Sequence, residues 1–141
     1  MKILILCTGN SCRSQMAQGF LQSFDNRIKV CSAGTEPAKE VNPKTIEAMK
    51  EAGVDISKHI PKSVDQYLNE EWDYVITVCD NAKESCPSFF GKVKSRIHMG
   101  FEDPSHVIGT EAFIMSEFRR VRDEIQGQFS AFYLRNIKEQ L

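Results

Sequence analysis

Apolar and polar residues follow one another along this chain in a way that predicts short buried strands separated by helices. The apolar run Lys2–Leu6 predicts a strand, and Ser14–Phe24 carries apolar residues at helical spacing. Three further strands are predicted, at Arg27–Ser32, Asp73–Val78 and Ser95–His98. Strands that alternate with helices indicate an α/β fold with a parallel sheet and helices on both faces.

Two later helices are predicted from capping signals and from periodicity. The segment from Asn42 to Gly53 begins with a capping residue, continues with Pro43 in its first turn and ends at a glycine. From about Glu111 onward, apolar residues recur on one helical face, at Phe118, Val121, Ile125, Phe129 and Phe132. We predict one domain, residues 1–141, whose ligand site lies at the carboxyl ends of the strands.

Composition excludes several classes of function. The net charge of −1 and the pI near 6.3 give no electrostatic reason to expect nucleic acid or an acidic membrane as a partner. The sequence contains no transmembrane stretch and no signal peptide, so we expect a cytoplasmic protein. Its five cysteines then predict catalytic, metal-binding or buried thiols rather than disulfides.

The segment "CTGNSCRS" joins the first predicted strand to the first predicted helix. A strand, a glycine-containing loop and a helix start form a cradle for a tetrahedral oxyanion, because backbone N–H groups converge there. Arg13 can bind two oxygens of the anion while Cys7 lies beneath its central atom. We expect the whole loop to bind oxyanion, through Thr8, Gly9, Asn10, Ser11, Cys12, Arg13 and Ser14.

The same positive surroundings predict a reactive thiol at Cys7. N–H donors and the Arg13 guanidinium should lower its pKa from the ordinary thiol value, and Ser14 could donate a hydrogen bond to the thiolate. The alternative interpretation is a tight turn with a buried cysteine and a surface arginine.

A general acid is predicted in the late segment "FEDPS". Asp103 follows the fourth predicted strand and Pro104 fixes the turn after it, so the carboxyl group should lie beside the first loop. Glu102 is the competing candidate.

Taken together, "CTGNSCRS", "NPKTIEAMKEAG", "VITVCDNAKESCP", "GFEDPS" and "FRRVRDEI" resemble the thioredoxin-coupled arsenate reductases of the low-molecular-weight protein tyrosine phosphatase superfamily. The resemblance implies a flavodoxin-like fold with a four-stranded parallel sheet. It implies that Cys7 is the nucleophile, that Arg13 and the loop amides bind oxyanion, and that Asp103 is the acid. The implied substrate is arsenate, with phosphate or sulfate as competing oxyanions, and no cofactor or metal is expected.

The resemblance also assigns a thiol relay. Reduction of arsenate needs two electrons, and the relay passes from Cys7 to Cys79 and then to Cys86. The chain has no Cys-x-x-Cys pair, so the reductant must come from outside, and the resemblance implies thioredoxin. We expect the protein to be a monomer.

Helix geometry predicts that the segment between Cys79 and Cys86 must move during the relay. Ala82, Lys83 and Glu84 favour a helical turn between Cys79 and Cys86. Residues seven apart in a helix are separated by roughly 10.5 Å along its axis. A disulfide needs Cα atoms within about 7 Å, so the segment must unwind when it forms.

Three other functions remain open. A low-molecular-weight phosphatase would need only Cys7, Arg13 and Asp103, although "DPSHV" lacks the aromatic residues that suit an aryl phosphate. An oxyanion or redox sensor would need neither the acid nor the relay. A zinc site has unfavourable spacing and would use Cys7, Cys12, Cys79 and Cys86.

The remaining candidates are assigned structural roles. Cys12 is expected to be structural and Cys31 to be a core residue. Gln18 and the nearby Lys62 argue against an alkali-cation site beneath the loop. The histidines His59, His98 and His106 show no ligand spacing and receive no role.

Overall fold

Four parallel strands form one sheet in the computed structural model, which describes residues 1–141. Along the sheet the strand order is β2-β1-β3-β4. The strands are β1 (Lys2–Cys7), β2 (Lys29–Gly34), β3 (Trp72–Thr77) and β4 (Val93–His98). The helices are α1 (Arg13–Phe24), α2 (Pro43–Glu51), α3 (Asp80–Glu84) and α4 (Glu111–Phe132).

The central strand β1 is apolar along its length because sheet neighbours pair with it on both sides. Its residues Ile3 to Leu6 are fully buried, as expected of a central parallel strand. Helix α1 packs on α4, and α2 packs on both, while α3 contacts β1 and β3. The predicted α/β fold with a four-stranded parallel sheet is therefore confirmed.

The predicted helix boundaries follow from local chemistry. Asn42 caps α2, its Oδ1 accepting the Lys44 N–H at 2.9 Å, and Pro43 occupies the first helical position. Gly53, with φ of +83°, follows the end of this helix. The predicted apolar stripe of α4 is buried at all five positions, from Phe118 to Phe132.

Strand boundaries differ from the prediction by at most two residues. β2 begins at Lys29 rather than Arg27 and ends at Gly34 rather than Ser32, and β4 begins at Val93. The side chain of Asp25 accepts both the backbone N–H and the guanidinium of Arg27, which holds Arg27 in the turn before the strand. No helix of the fold is both long and apolar enough to cross a lipid bilayer.

Candidate active site

The loop Cys7–Ser14 connects the carboxyl end of β1 to the start of α1. Its carbonyl groups accept hydrogen bonds from the segment that follows β2, at distances of 2.9–3.2 Å. In a trans peptide the N–H group points away from the carbonyl, so these contacts turn the loop amides toward the opposite side. The carbonyls that are held in this way belong to Cys7, Thr8, Gly9 and Ser11.

Asn10 fixes the shape of this loop from inside the protein. It is fully buried and has φ of +52°, the left-handed region that Asn tolerates better than most residues. Its Nδ2 donates to Ser14 Oγ at 2.8 Å and to Ser32 Oγ at 2.9 Å. Its Oδ1 accepts the N–H of Lys62 at 2.9 Å and the side-chain amide of Gln15 at 3.2 Å. The cradle is therefore preorganised by a buried polar network.

Ser14 belongs to this network rather than to the thiol. The prediction that Ser14 donates to Cys7 is wrong in this structure, since no hydrogen bond joins the two side chains and Ser14 Oγ is bound by Asn10. Its burial at the first turn of α1 makes it part of the support of the loop.

Arg13 closes one wall of the cavity. Its Nη1 donates to the Phe101 carbonyl at 3.1 Å, and its Nη2 lies 3.4 Å from Asp103 Oδ2. Its Nε is buried and has no hydrogen-bond partner in the protein. A largely buried arginine side chain with an unused donor is suited to an anion in the cradle.

Asp103 lies across the cavity, where the sequence placed the acid. Its Oδ1 accepts the N–H and the hydroxyl of Ser105, at 2.9 and 2.6 Å. Burial raises the pKa of Asp103, but the Ser105 hydrogen bonds and the charges of Arg13 and His106 outweigh it and hold the pKa below its ordinary value. Glu102, the competing candidate, is exposed and pairs with Arg120 at 3.0 Å.

His106 is a site residue that sequence reasoning missed. Its Nε2 lies 3.3 Å from Asp103 Oδ2, although its side chain is largely exposed. The signal was its position three residues after Asp103, which brings the two side chains together across the short helical turn Pro104–His106.

Cys79 lies next to the loop, two residues after β3 ends. Its Sγ is 3.3 Å from Thr8 Oγ1 and 3.4 Å from the N–H of Ala82, which it accepts as the cap of α3. Only 4% of Cys79 is exposed, against 3% of Cys7. The structure therefore brings together the two cysteines that sequence reasoning placed at carboxyl ends of neighbouring strands.

The neighbouring thiols of Cys7 and Cys79 interact, and this interaction governs their ionisation. It lowers the pKa of Cys79 to about 5, with further help from Thr8, the Ala82 N–H and Arg13. The same interaction, followed by burial, raises the pKa of Cys7, so the predicted lowering of the Cys7 pKa is wrong for the free protein, where Cys79 has the lowered pKa instead. The pair therefore carries one negative charge readily and a second one with difficulty, so the first ionisation belongs to both thiols together.

Cys86 lies apart from this pair, beyond the end of α3. It is half-buried, its Sγ accepts a hydrogen bond from Arg96 Nη1 at 3.9 Å, and its own thiol donates to the Pro87 carbonyl at 3.7 Å. All five cysteines are free thiols.

The remaining cysteines are Cys12 in the loop and Cys31 on β2. Cys12 is buried, which raises the pKa of its thiol to about 12, although Thr45 of α2 acts in the opposite direction. Cys31, predicted as a core residue, is only partly buried and packs against the core. No group of three or more His, Cys, Asp or Glu side chains is arranged to hold a metal ion.

The other two histidines each contact a residue that supports the site. His98 Nδ1 lies 2.8 Å from Thr77 Oγ1, and its Nε2 lies 3.0 Å from Asp80 at the start of α3. His59 Nδ1 lies 3.0 Å from Gln15 Oε1, beneath the loop. Burial and the nearby charge of Lys62 lower the pKa of His59.

Two cavities adjoin at the candidate active site. One of about 360 Å³ is lined by the loop and by Asp103, Ser105 and His106. The other, of about 540 Å³, shares Thr8, Arg13 and Asp103 with the first and reaches Cys79. A ligand held by the loop would thus have Cys7 beneath it and Cys79 within the adjoining space.

Comparison with known proteins identifies the family. The family model "Low molecular weight phosphotyrosine protein phosphatase" matches residues 2–141. An arsenate reductase of Halalkalibacterium halodurans is 45% identical over 131 residues, covering 92% of this chain and 93% of the relative. An arsenate reductase of Bacillus subtilis is 44% identical over 131 residues, with the same coverage of 92% and 93%.

A solved structure gives the same result. It is described as an arsenate reductase in the phosphate binding state, is 28% identical to this chain and superimposes with a TM-score of 0.79. The match covers 94% of this chain and 96% of that one. The chain belongs to the low-molecular-weight phosphotyrosine protein phosphatase family, and the resemblance expected from its motifs is confirmed.

Proposed function

We propose that this member of the low-molecular-weight phosphotyrosine protein phosphatase family reduces arsenate to arsenite at Cys7. The observation that carries the proposal is the second thiol beside the first: Cys79 is buried at the oxyanion cradle, with its Sγ 3.3 Å from Oγ1 of Thr8, the residue that follows Cys7. Phosphate ester hydrolysis needs one thiol, whereas a two-electron reduction needs a partner that can form a disulfide. The arsenate reductases that are 44–45% identical to the chain support the same function.

Arsenate is expected to bind in the cradle against the loop amides and Arg13. The unused Nε donor of Arg13 and the inward-turned N–H groups suit the oxygens of a tetrahedral anion. Phosphate and sulfate, which have the same shape, should compete for this site.

Covalent capture is the first chemical step. The Cys7 thiolate attacks arsenic, a Cys7–arsenic bond forms, and one arsenate hydroxyl leaves as water after taking a proton from Asp103. Thr8 and Cys79 lie beside the nucleophile, so the single negative charge of the thiol pair can move to Cys7 as its proton moves to Cys79.

Asp103 must carry a proton for this step, although its pKa is lowered in the free protein. The lowering depends partly on Arg13, whose charge a bound oxyanion would share. A negative ligand beside the carboxyl group also favours its protonated form, so substrate binding is expected to raise the pKa of Asp103.

The reduction itself occurs in the second step. The Cys79 thiolate attacks Cys7 Sγ, a Cys7–Cys79 disulfide forms, and the electron pair of the sulfur–arsenic bond stays on arsenic. Arsenic passes from the pentavalent to the trivalent state and leaves as arsenite, while the two sulfurs together lose two electrons.

The third thiol, that of Cys86, begins the regeneration of the enzyme. The Cys86 thiolate attacks Cys79 Sγ, so a Cys79–Cys86 disulfide forms and Cys7 leaves as a thiolate. An external dithiol protein of the thioredoxin class then reduces the Cys79–Cys86 disulfide. We further propose that the enzyme acts as a monomer in the cytoplasm, where such a reductant is present.

Phosphatase activity is the second candidate, and one observation favours it. Cys7, Arg13 and Asp103 line one cavity, which is all that hydrolysis of a phosphate ester through a phosphocysteine requires. The cavity wall formed by Ser105 and His106 contains no Phe, Tyr or Trp side chain on which an aryl phosphate could stack.

The test measures both activities on the same variants. Wild-type protein with a thioredoxin system should release arsenite over many turnovers, whereas Cys79→Ser and Cys86→Ser should each stop after at most one turnover. Hydrolysis of an aryl phosphate should persist in both variants. Cys31→Ser is the matched control, because Cys31 lies on β2 away from the cavities and should behave as wild type.

Two results would reject the proposal. Sustained arsenite release by Cys79→Ser would remove Cys79 from the reaction. Absence of arsenite release by the wild type, with rapid aryl phosphate hydrolysis, would make the protein a phosphatase.

A further inference from the structure

Cys86 is held against β4 by a residue to which sequence reasoning gave no role. Arg96 Nη1 lies 3.9 Å from Cys86 Sγ. The same guanidinium lies over the ring of Phe89, 5.4 Å from its centroid. Phe89 and Cys86 belong to the same loop after α3, so one arginine contacts this loop at two points.

Arg96 has no acidic partner. Every Lys–carboxylate and Arg–carboxylate ion pair of the protein involves other residues, although Lys94 on the same strand binds Asp73 at 3.0 Å. The cavity of about 350 Å³ beside Cys86 is lined by Lys83, Arg96 and His98 and by no carboxylate. The charge of Arg96 is therefore free to act on the sulfur.

A second contact from β4 holds the other end of the same segment. His98, two residues after Arg96 and on the same face of the strand, lies 3.0 Å from Asp80, which directly follows Cys79. Strand β4 thus contacts both ends of the segment that must rearrange before Cys86 can reach Cys79.

We propose that Arg96 is a positioning residue that holds the Cys86 sulfur and stabilises its thiolate for attack on the Cys7–Cys79 disulfide. This inference rests on the proposed relay. In the step concerned, the Cys79–Cys86 bond forms, the Cys7–Cys79 bond breaks and Cys7 leaves as a thiolate, so no electrons enter or leave the protein.

Cys86 needs a positively charged neighbour because its burial disfavours the thiolate form. Burial raises the pKa of the Cys86 thiol, and the charge and hydrogen bond of Arg96 act in the opposite direction. The groups that face Cys86 are Lys83 from α3 and Arg96 and His98 from β4. Only thiolate attacks a disulfide, so loss of the Arg96 charge should reduce the attacking fraction near neutral pH.

Cysteine alkylation tests the inference without arsenate. Reduced protein is treated with iodoacetamide across a pH series, and alkylation of the Cys86 peptide is followed by mass spectrometry. Arg96→Gln should move the alkylation midpoint of Cys86 up by roughly half a pH unit, about a threefold loss of thiolate at neutral pH, because Arg96 is partly screened by solvent. Arg96→Lys should keep part of the effect.

Lys94→Gln is the matched control. It removes the same charge from the same strand, but Lys94 binds Asp73 rather than Cys86, so the Cys86 midpoint should not move. An unchanged midpoint in Arg96→Gln, or an equal shift in Lys94→Gln, would overturn the inference.

A single-turnover experiment then tests the step itself. In Arg96→Gln the Cys7–Cys79 disulfide should accumulate after arsenate addition, and the Cys79–Cys86 disulfide should form about threefold more slowly at neutral pH and recover at higher pH. Equal rates at all pH values would also overturn the inference. If the wild type forms no Cys7–Cys79 disulfide at all, the proposed function fails, whereas the alkylation result still decides the role of Arg96.

Discussion

At the scale of single residues, the site depends on two neighbouring thiols. Cys7 and Cys79 are both almost fully buried, each affects the ionisation of the other, and the positive charge of Arg13 acts on both. This arrangement keeps one thiolate in the cradle at neutral pH without burying two negative charges side by side.

The first prediction concerns the ionisation of this pair. Thiolate absorbance in the ultraviolet should show one equivalent that appears as the pH rises through about 5, the pKa of Cys79. That step should vanish in the Cys7→Ser, Cys79→Ser double variant and persist in Cys31→Ser. A wild-type protein without thiolate below pH 7 would contradict it.

The lowered pKa of Cys79 also makes the stability of the folded protein depend on pH. Cys79 ionises near pH 5 in the folded protein and near the ordinary thiol value of 9.0 in the unfolded chain. The contribution of Cys79 to stability is therefore complete above the unfolded pKa and is lost as the pH falls toward 5, while the raised pKa of Cys7 lowers stability above the unfolded pKa.

The second prediction concerns Asn10, whose side chain makes the hydrogen bonds that shape the loop. Asn10→Ala removes them, leaves the Lys62 N–H unpaired and places alanine at φ of +52°. We expect the free energy of unfolding to fall by about 2–4 kcal/mol, because unpaired buried groups and a strained backbone both destabilise the protein.

Urea denaturation of Asn10→Ala measures this loss, with Asn26→Ala as a control in an exposed turn. Phosphate affinity should fall together with stability. A variant as stable as the wild type would show that the network does not support the cradle.

Sequence reasoning reached some of these residues and missed others for a physical reason. Cys7 and Arg13 are close in sequence, and Cys79 and Asp103 follow predicted parallel strands whose carboxyl ends converge. The contacts of His106 and Arg96 depend on side-chain directions in loops, which residue spacing does not determine.

At the scale of elements, β2 and the loop after β1 touch so closely that only glycine fits between them. A Cβ on Gly34 would lie 2.4 Å from the Thr8 carbonyl oxygen and 3.2 Å from the backbone nitrogen of Asn10. Both neighbours belong to the cradle backbone, which cannot move without changing the geometry of the site.

The third prediction is therefore that Gly34→Ala impairs the cradle. We expect at least a tenfold loss of phosphate affinity together with lower thermal stability, since even a small misplacement of a catalytic loop is costly. Calorimetric titration with phosphate measures the affinity.

Gly127→Ala serves as the control for Gly34→Ala, because a Cβ at Gly127 meets no atom within 4 Å. It should leave phosphate affinity unchanged. Wild-type affinity in Gly34→Ala would mean that the loop accommodates the methyl group by moving without effect on the site.

The elements themselves were predictable because their signals are local. The apolar run of β1, the Asn42 cap of α2 and the stripe of α4 each lie within one stretch of sequence. The boundaries of β2 were less predictable, because Gly34 joins the strand through its pairing with Cys7, a contact that the local sequence does not encode.

The fourth prediction is that α3 opens on oxidation. The helix has five residues, of which only Ala82 is buried, so unwinding it exposes little apolar surface. Cys79 and Cys86 flank this helix, and a disulfide between them requires Cα atoms within about 7 Å, closer than seven residues of regular helix would place them. Amide hydrogen exchange in residues 80–91 should rise sharply in the oxidised protein while β1 and β3 stay protected.

The control for this experiment is the Cys86→Ser variant exposed to the same oxidant, which cannot form the Cys79–Cys86 bond. Its exchange in residues 80–91 should match that of the reduced protein. Unchanged exchange in protein with a verified Cys79–Cys86 disulfide would show that no opening is required.

At the scale of the whole molecule, the cradle is held by hydrogen bonds to residues that are distant in sequence. Asn10 joins it to β2 and to the backbone of Lys62, and Arg13 joins it to the carbonyl of Phe101 after β4. The unfolded chain cannot reproduce this arrangement, so a bound oxyanion should stabilise the folded state as a unit.

The last prediction follows from that coupling and uses phosphate, which cannot oxidise the thiols. At one hundred times its dissociation constant, a ligand that binds only the folded state adds about 2.7 kcal/mol of stability. For a chain of this size that corresponds to a rise in Tm of roughly 10 °C. Scanning calorimetry of the reduced protein should show Tm rising with phosphate concentration, and Arg13→Gln should lose most of the rise over the same range. Sodium chloride at matched ionic strength separates specific binding from screening, and an equal rise in chloride would contradict a specific oxyanion site.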